Sequence, residues 1–521
     1  MRAAFAMPGA RFVAEAQPLP DMSGEGPAAP RPRGLNKSVN IDFRNPITIL
    51  LLAWIIFLGA LGLRALNVGE YPARHATDDE FGFLWGGLNF WHKGTPESWS
   101  SLQGGANLRL GEARFDGNGY MIVSPYLDHP PLFTLLAGGW ARMTGPVKIE
   151  QQSPEGNLVT VWDVDLSKAR LLMLVLFSGT FWFLFSLVRS ACGAPAALLT
   201  VLFYGFMSHA VAMGRLVLAD NLSALLLVAN AWAVQRWLAG DMRRGAMMAW
   251  TMTLTAAAVL TKIPAWCHVP AMVAMLVVAG RAGGGVERAQ DDAARRQAMG
   301  AIRYVFYGFA LGIILYLGWL AHYGLQEFLA VMGSQTSRFR GFNAFQLMSG
   351  VPRLLAERDL NGVVIAGWFC LVAQALRSSA PGFVVIGPVY VLAFTFFAGD
   401  VLFGWYTLPV LPWLAAALGV TTLQVWRRPV SAMMLAWLLL LLPHAFQTLY
   451  IAHYELEQPL RYVYVLVTGG LIMAMLLPQA KAEKVLRMAM IAIVAVVLMR
   501  EGYEVSNQRT DRISDQEKYL G

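Results

Sequence analysis

Cysteine is nearly absent from this chain, at three in 521 residues. Cys192, Cys267 and Cys370 share no paired spacing, which excludes a disulfide framework and a thiolate metal centre. All three lie in or beside apolar runs, where a thiol packs as a small hydrophobe. Charge is scarce as well: 14% of residues are charged, against about a quarter in soluble domains. There is no Gly-rich nucleotide loop, no internal repeat, and no pair of matching halves with interrupted helices of the kind that marks many transporters. The first residues hold no apolar core of signal-peptide type.

What the chain has in abundance is apolar sequence, 56% hydrophobic with a mean hydropathy of +0.48. A spanning helix needs about 20 apolar residues, because roughly 30 Å of hydrocarbon is crossed at 1.5 Å per residue. Runs of this kind occur at 47–66, 169–189, 194–214, 217–238, 246–263, 264–280, 301–322, 362–378, 381–398, 404–425, 430–450, 460–478 and 484–500. They predict an all-α polytopic membrane protein with about 13 transmembrane helices. The run from Pro130 to Thr144 is too short to cross and opens on a Pro pair, so it is expected to lie at the interface.

The net charge of +8 does not point to nucleic acid, because the basic residues sit in short loops between apolar runs and report topology instead. With the Pro130 run left out of the span count, the clusters Arg31 to Arg44, Arg236 to Arg244, Arg281 to Arg303, and Arg427 with Arg428 all fall on the cytoplasmic side. Residues 1–46, rich in Ala, Pro, Gly and Arg, form a flexible cytoplasmic tail in this reading, 47–500 the transmembrane domain, and 501–521 a C-terminal tail. Residues 67–168 and 323–361 become two large extracytoplasmic loops. The same parity brings the polar groups near Asp220, Lys262 and Asp400 to that outer face. A multi-pass protein of a bacterial inner membrane, with its N-terminus cytoplasmic and its site outside, is expected.

The first outer loop contains Thr77-Asp78-Asp79-Glu80 ahead of the aromatic and glycine-rich stretch Phe81 to Trp91. One role for such acids is capping: Thr77 or Asp78 fits an N-cap, and acids in a first turn complement the helix dipole. The other is chemical. Transfer of a sugar to a hydroxyl needs a carboxylate that removes the acceptor proton as its oxygen attacks, and a carboxylate at a low-dielectric boundary gains basicity. A second cluster, Asp128-His129-Pro130-Pro131, offers an acid and an imidazole as capping groups, substrate contacts or ligands to a divalent metal ion, with no third ligand legible from spacing. Asp220 and Arg170 lie in or beside apolar runs, where ionisable groups are costly and mark either function or a structural pair.

These strings resemble the GT-C glycosyltransferases, the superfamily that contains the protein O-mannosyltransferases and the lipid A aminoarabinose transferase. The resemblance extends to about Gly419. Asp79-Glu80 is similar to the acid pair that opens a juxtamembrane helix in the family's first outer loop, with Asp78 as an additional acid. Asp128-His129-Pro130-Pro131-Leu132, Ala169-Arg170-Leu171, Arg215 to Asp220, and Leu260-Thr261-Lys262-Ile263-Pro264 follow in family order. Trp405-Tyr406-Thr407-Leu408-Pro409 resembles a family string in which a basic residue stands where this chain has Trp405. The resemblance implies a GT-C fold with interfacial helices in the first outer loop, Asp79 as the catalytic base, and Asp78, Glu80, Asp128, His129 and Asp220 positioning the acceptor or a cation. Lys262, Arg338 and Arg340, all on the outer side in this reading, are available to bind the donor phosphate, with Tyr406 beside them.

The expected activity is inverting transfer of a hexosyl or pentosyl unit from a polyprenyl-phosphate donor to a hydroxyl of an envelope glycan, lipid A or lipopolysaccharide, or an exported protein. Membrane lipids are further partners and nucleic acid is not; apart from the candidate divalent ion no cofactor is expected. Two rivals remain, a transporter or flippase of lipid-linked sugars and a non-catalytic assembly subunit. A transporter would distribute polar groups through the bilayer midplane, whereas here they gather toward one boundary.

Overall fold

The computed structural model describes residues 45–102, 108–280, 288–337, 362–377, 381–395, 404–452 and 457–507. The N-terminal tail up to residue 44, Arg338, Arg340 and Asp400 fall outside the described residues.

Helix α1 (Pro46–Ala65) starts where the Asn45 side chain accepts a hydrogen bond from the Ile47 amide, with Pro46 at a position that needs no amide donor. The next helices are α2 (Asp79–Lys93) and α3 (Pro131–Arg142), interleaved with strands β1 (Ser98–Trp99), β2 (Arg109–Phe115), β3 (Asn118–Val123), β4 (Val147–Gln152) and β5 (Leu158–Asp163). The described bundle continues with α4 (Leu166–Ala169), α5 (Leu171–Cys192), α6 (Ala194–Phe206), α7 (Ser208–Met213), α8 (Ala219–Leu238), α9 (Arg244–Thr261), α10 (His268–Ala279), α11 (Arg288–Tyr323) and α12 (Leu325–Ser337). It closes with α13 (Gly362–Ala375), α14 (Ile386–Phe394), α15 (Leu411–Arg427), α16 (Ala432–Ala452), α17 (Glu457–Ala474) and α18 (Gln479–Asn507).

The chain is a predominantly helical, multi-pass membrane protein. Among the described residues three helices have the length and apolarity for a full crossing, Pro46–Ala65, Leu166–Cys192 and Arg296–Tyr323. Each remaining apolar run coincides with at least part of a helix. Two boundaries differ from the sequence expectation. The run at 194–214 is broken at Met207, whose extended backbone separates α6 from α7, and the tail expected from residue 501 stays helical as far as Asn507.

The segment between α1 and α5 is more elaborate than helical periodicity foretells. It carries an antiparallel sheet in the order β1-β3-β2 and a separate β4-β5 hairpin. Strand β2 alternates exposed and buried residues and turns into β3 through Asp116-Gly117, both at positive φ, a tight-turn geometry that suits the right-handed twist of a hairpin. Its inward residues Phe115 and Tyr120 meet Phe81 and Trp85 of α2 edge-on, with centroids 5.3–6.3 Å apart. Asn89 of α2 donates to Glu97 O (2.8 Å) and accepts from Trp162 Nε1 (2.9 Å), while Trp85 Nε1 donates to Trp162 O (2.7 Å). The sheets thereby fix the azimuth of α2.

Helix α3 crosses α2 at glycine. A Cβ placed on Gly138 would lie 2.1 Å from Gly87 C, and one on Gly87 would lie 2.1 Å from Thr134 O. The two backbones touch there, which any larger residue would forbid. The 12 residues of α3 reach about 18 Å, well short of a crossing, so the expectation that this run does not span holds. Trp91, Leu136 and Met143 stand exposed beside it.

Candidate active site

Three arginines that are at most 1% exposed organise the approach to α2: Arg64, Arg170 and Arg215. Arg64 donates to Gly205 O (2.5 Å) and Tyr204 O (3.2 Å) and lies 3.7 Å over the Phe177 ring. Arg215 donates to the carbonyls of Leu63 (2.6 Å), Arg64 (3.1 Å), Leu66 (2.7 Å) and Tyr71 (3.3 Å). These are acceptors left open where α1 ends and the chain turns, and a guanidinium satisfies several at once. Arg170, between α4 and α5, donates to Val68 O (3.0 Å) and Pro72 O (2.6 Å) and grips Glu80 with two bonds, Nε to Oε1 at 3.0 Å and Nη2 to Oε2 at 2.7 Å.

That grip gives Glu80 a structural partner. The carboxylate is fully buried, and Oε1 also accepts the Val217 amide at 2.8 Å. A group held by a bidentate arginine and a backbone N–H ties α2, α5 and the strand-like lead into α8 together. The sequence anticipated that Arg170 would function or pair within the apolar region, but its partner is Glu80, 90 residues away, and not Asp220.

Asp79, one residue earlier, is half-buried in the first turn of α2. Its amide donates to Thr77 Oγ1 at 3.3 Å, while Asp78 occupies the N-cap position without a side-chain cap bond. Asp79 acts electrostatically on two groups from other elements, Lys262 and Tyr126. Burial raises the Tyr126 phenol well above its ordinary range, and the carboxylates of Asp128 and then Asp79 raise it further. Asp128 also acts on Tyr316 of α11. His129 stacks on Phe83 with centroids 4.9 Å apart and meets Tyr126 edge-on at 6.2 Å.

Lys262 caps the C-terminal end of α9 with extended backbone two residues before Pro264, and its side chain is buried. Its Nζ donates to Asp220 Oδ2 at 2.8 Å and lies 4.4 Å from the centroid of the Tyr406 ring, and both charged side chains are 5% exposed. Asp220 is therefore paired with Lys262, which makes it an orienting group for the ammonium. Lys262, Asp220 and Tyr406 thus form one buried cluster, with Asp79 within electrostatic reach of Lys262 and both Asp79 and Asp128 within reach of Tyr126.

Asp78 points elsewhere. Its Oδ1 accepts from Tyr120 Oη at 2.9 Å and lies 3.3 Å from His75 Nδ1, so the adjacent acid belongs to a network on the β2-β3 hairpin. Sequence reading passed over His75, Tyr120, Tyr126 and Asp116. The Asp116-Gly117 turn was a legible signal for the hairpin, whereas the contacts across it were not. Among the described residues no group of three His, Cys, Asp or Glu side chains is placed to hold a metal ion, so the metal expectation at Asp128 and His129 gains no third ligand.

Residues 158–284 match the profile of the dolichyl-phosphate-mannose-protein mannosyltransferase family. That match supports the GT-C glycosyltransferase resemblance through about a quarter of the chain, the part holding Arg170, Arg215, Asp220 and Lys262. No curated protein matches the sequence. Among solved structures, ArnT from Cupriavidus metallidurans in the apo state aligns at 15% identity over 88% of this chain and 75% of its own, with a TM-score of 0.48. The same protein bound to undecaprenyl phosphate aligns at 15% identity over 89% and 77%, with a TM-score of 0.46. The Archaeoglobus fulgidus oligosaccharyltransferase in complex with Zn and sulfate aligns at 14% identity over 75% of this chain and 52% of its own, with a TM-score of 0.44.

Proposed function

We propose that this protein is an inverting glycosyltransferase that moves a hexosyl or pentosyl unit from a polyprenyl-phosphate donor to a hydroxyl of an envelope glycan, lipid A or lipopolysaccharide, or an exported protein, on the extracytoplasmic face of a bacterial inner membrane. The observation that carries this reading is the buried Lys262–Asp220 ion pair with the Tyr406 ring against its ammonium, a cation suited to receive an anionic leaving group, with the Asp79 carboxylate, suited to take a proton, within electrostatic reach of it. The family profile, whose named donors are dolichyl-phosphate sugars, supports the lipid-linked donor.

In the mechanism, Asp79 accepts the proton of the acceptor hydroxyl as that oxygen bonds to the anomeric carbon. The bond from that carbon to the phosphate oxygen breaks on the opposite face, its electron pair leaves with the phosphate, and the anomeric configuration inverts. Lys262 meets the departing phosphate as a point charge. Asp220 keeps Lys262 inside the site, and the Tyr406 ring stabilises its ammonium from the side. Asp128, with Tyr126 and His129, borders the acceptor side. Glu80 and the three arginines hold the backbone on which Asp79 rides.

Purified full-length protein incubated with a panel of radiolabelled polyprenyl-phosphate sugars and envelope acceptors tests the reading. Label moving to an acceptor with equimolar release of polyprenyl phosphate is the expected result. Transbilayer movement of intact donor in proteoliposomes without any transfer would replace it with the transporter reading.

A further inference from the structure

We propose that His75 is a positioning residue for Asp79: by joining Asp78 at the start of α2 to Tyr120 and Asp116 of the β2-β3 hairpin, it holds the first turn of α2 in the orientation that presents the neighbouring carboxylate. This rests on Asp79 being the base, and its test separates the two.

The geometry is specific. His75 Nδ1 lies 2.9 Å from Tyr120 Oη and 3.3 Å from Asp78 Oδ1, Tyr120 Oη donates to that same Oδ1 at 2.9 Å, and His75 Nε2 lies 3.3 Å from Asp116 Oδ2. Both ring nitrogens face oxygen. Asp116 is held in place from two directions, by its own turn at φ 50 and by Arg74, whose Nε lies 2.7 Å away and whose Nη2 reaches Asp163 Oδ1 of β5 at 2.7 Å. The imidazole also packs against Phe81, 5.1 Å between centroids, and Phe115, 6.5 Å. His75 itself has φ 69, a left-handed conformation that is unfavourable for a residue with a Cβ and persists where the surroundings enforce it.

Asp78, Asp116, Tyr120, Arg74 and Asp163 are the titratable and charged groups around the ring. Only the imidazolium carries N–H on both nitrogens and can donate to the Tyr120–Asp78 side and to Asp116 together. The neutral ring that donates from Nε2 to Asp116 can accept from Tyr120 Oη at Nδ1, but it then gives Asp78 no hydrogen bond and draws the tyrosine proton away from it. The hydrogen bond to Asp78, partly offset by burial and reinforced by the charges of Asp78 and Asp116, raises the histidine above its ordinary value of 6.5. A raised folded-state value means that the network is complete below pH about 6.5 and is lost as pH climbs through the higher value. Asp79 is the next residue after Asp78, so loosening this anchor frees the first turn of α2 while the Glu80–Arg170 clamp behind it stays shut.

The test uses full-length protein in nanodiscs, with hydrogen exchange followed in peptides covering 74–85 from pH 5.5 to 8.5 and corrected for intrinsic exchange. Wild-type protection of the first turn should fall with a midpoint above 6.5. In His75→Gln that pH dependence should vanish, and in Asp116→Asn, which keeps the ring but removes one carboxylate, the midpoint should move down. Transfer from undecaprenyl-phosphate sugar should show the same alkaline limb in kcat with an unchanged donor KM, and the limb should be absent in His75→Gln. Identical pH dependence of exchange in wild type and both variants overturns the proposal, whatever their activity. Should His75→Gln not fold, an unmoved midpoint in folded Asp116→Asn overturns it equally. Full activity in Asp79→Asn would instead remove the base assignment and leave the exchange result standing.

Discussion

Exchanging Glu80 for Gln and Asp79 for Asn makes the same chemical change at adjacent positions, and the structure assigns the two variants opposite consequences. At Glu80 both oxygens are occupied, by Arg170 Nε at 3.0 Å, the Val217 amide at 2.8 Å and Arg170 Nη2 at 2.7 Å. Glutamine keeps one acceptor oxygen and turns an NH2 toward a donor, and it leaves the buried Arg170 charge without its counter-ion. Removing one partner of a buried ion pair costs about 3–5 kcal/mol. Asp79 is half-buried and sits at a helix N-terminus, where the loss of a negative charge costs about 0.3–1 kcal/mol through the helix dipole. Thermal unfolding of both variants in one detergent, followed by tryptophan fluorescence, reads the contrast: Glu80→Gln should melt several degrees below wild type, and Asp79→Asn close to it. Glu80→Gln with a wild-type melting temperature and no transfer activity would refute the clamp and return Glu80 to the acceptor side.

Gly138→Ala would bring a methyl to 2.1 Å from the Gly87 backbone, so α2 and α3 must part by roughly an ångström at a cost of about 1–3 kcal/mol. Gly139→Ala, whose nearest neighbour is the movable Trp91 side chain at 3.2 Å, should be nearly neutral, and paired melting curves check the difference. Lys262→Met leaves Asp220 buried and unpaired and should lower stability by about 3–5 kcal/mol. Adding Asp220→Asn should recover most of that stability and none of the transfer activity, which a double-mutant cycle with both readouts measures.

The apolar runs were legible because hydrocarbon imposes one length and one composition on any segment that crosses it; each expected run overlaps helix at least in part, and three lie in described helices long and apolar enough to cross. The acids at 78–80 were legible as a helix start for the same kind of local reason. Their division of labour was not. Asp78 faces a hairpin, Asp79 the lysine centre and Glu80 a buried arginine, because a helix turns about 100° per residue and the partners come from 42 to 183 residues away. Local patterning carries no record of such distances. The Lys262–Asp220 bond and the Arg215 cage are of this kind: the charges stood out against their apolar surroundings, while their partners depended on packing. The two small sheets were missed for a different reason, since strands of six or seven residues amid polar loops compete poorly with neighbouring helical signals, although the Asp116-Gly117 turn marked one of them.

The proposed chemistry stands or falls on whether the Asp79 carboxylate is required for breaking the sugar–phosphate bond in a folded protein. Release of polyprenyl phosphate from a radiolabelled undecaprenyl-phosphate sugar, compared between wild type and Asp79→Asn at matched melting temperature, measures this. The account predicts acceptor-dependent release from wild type and a loss of at least about a hundredfold in the variant, the contribution of a positioned general base. Release at the wild-type rate from Asp79→Asn would contradict it.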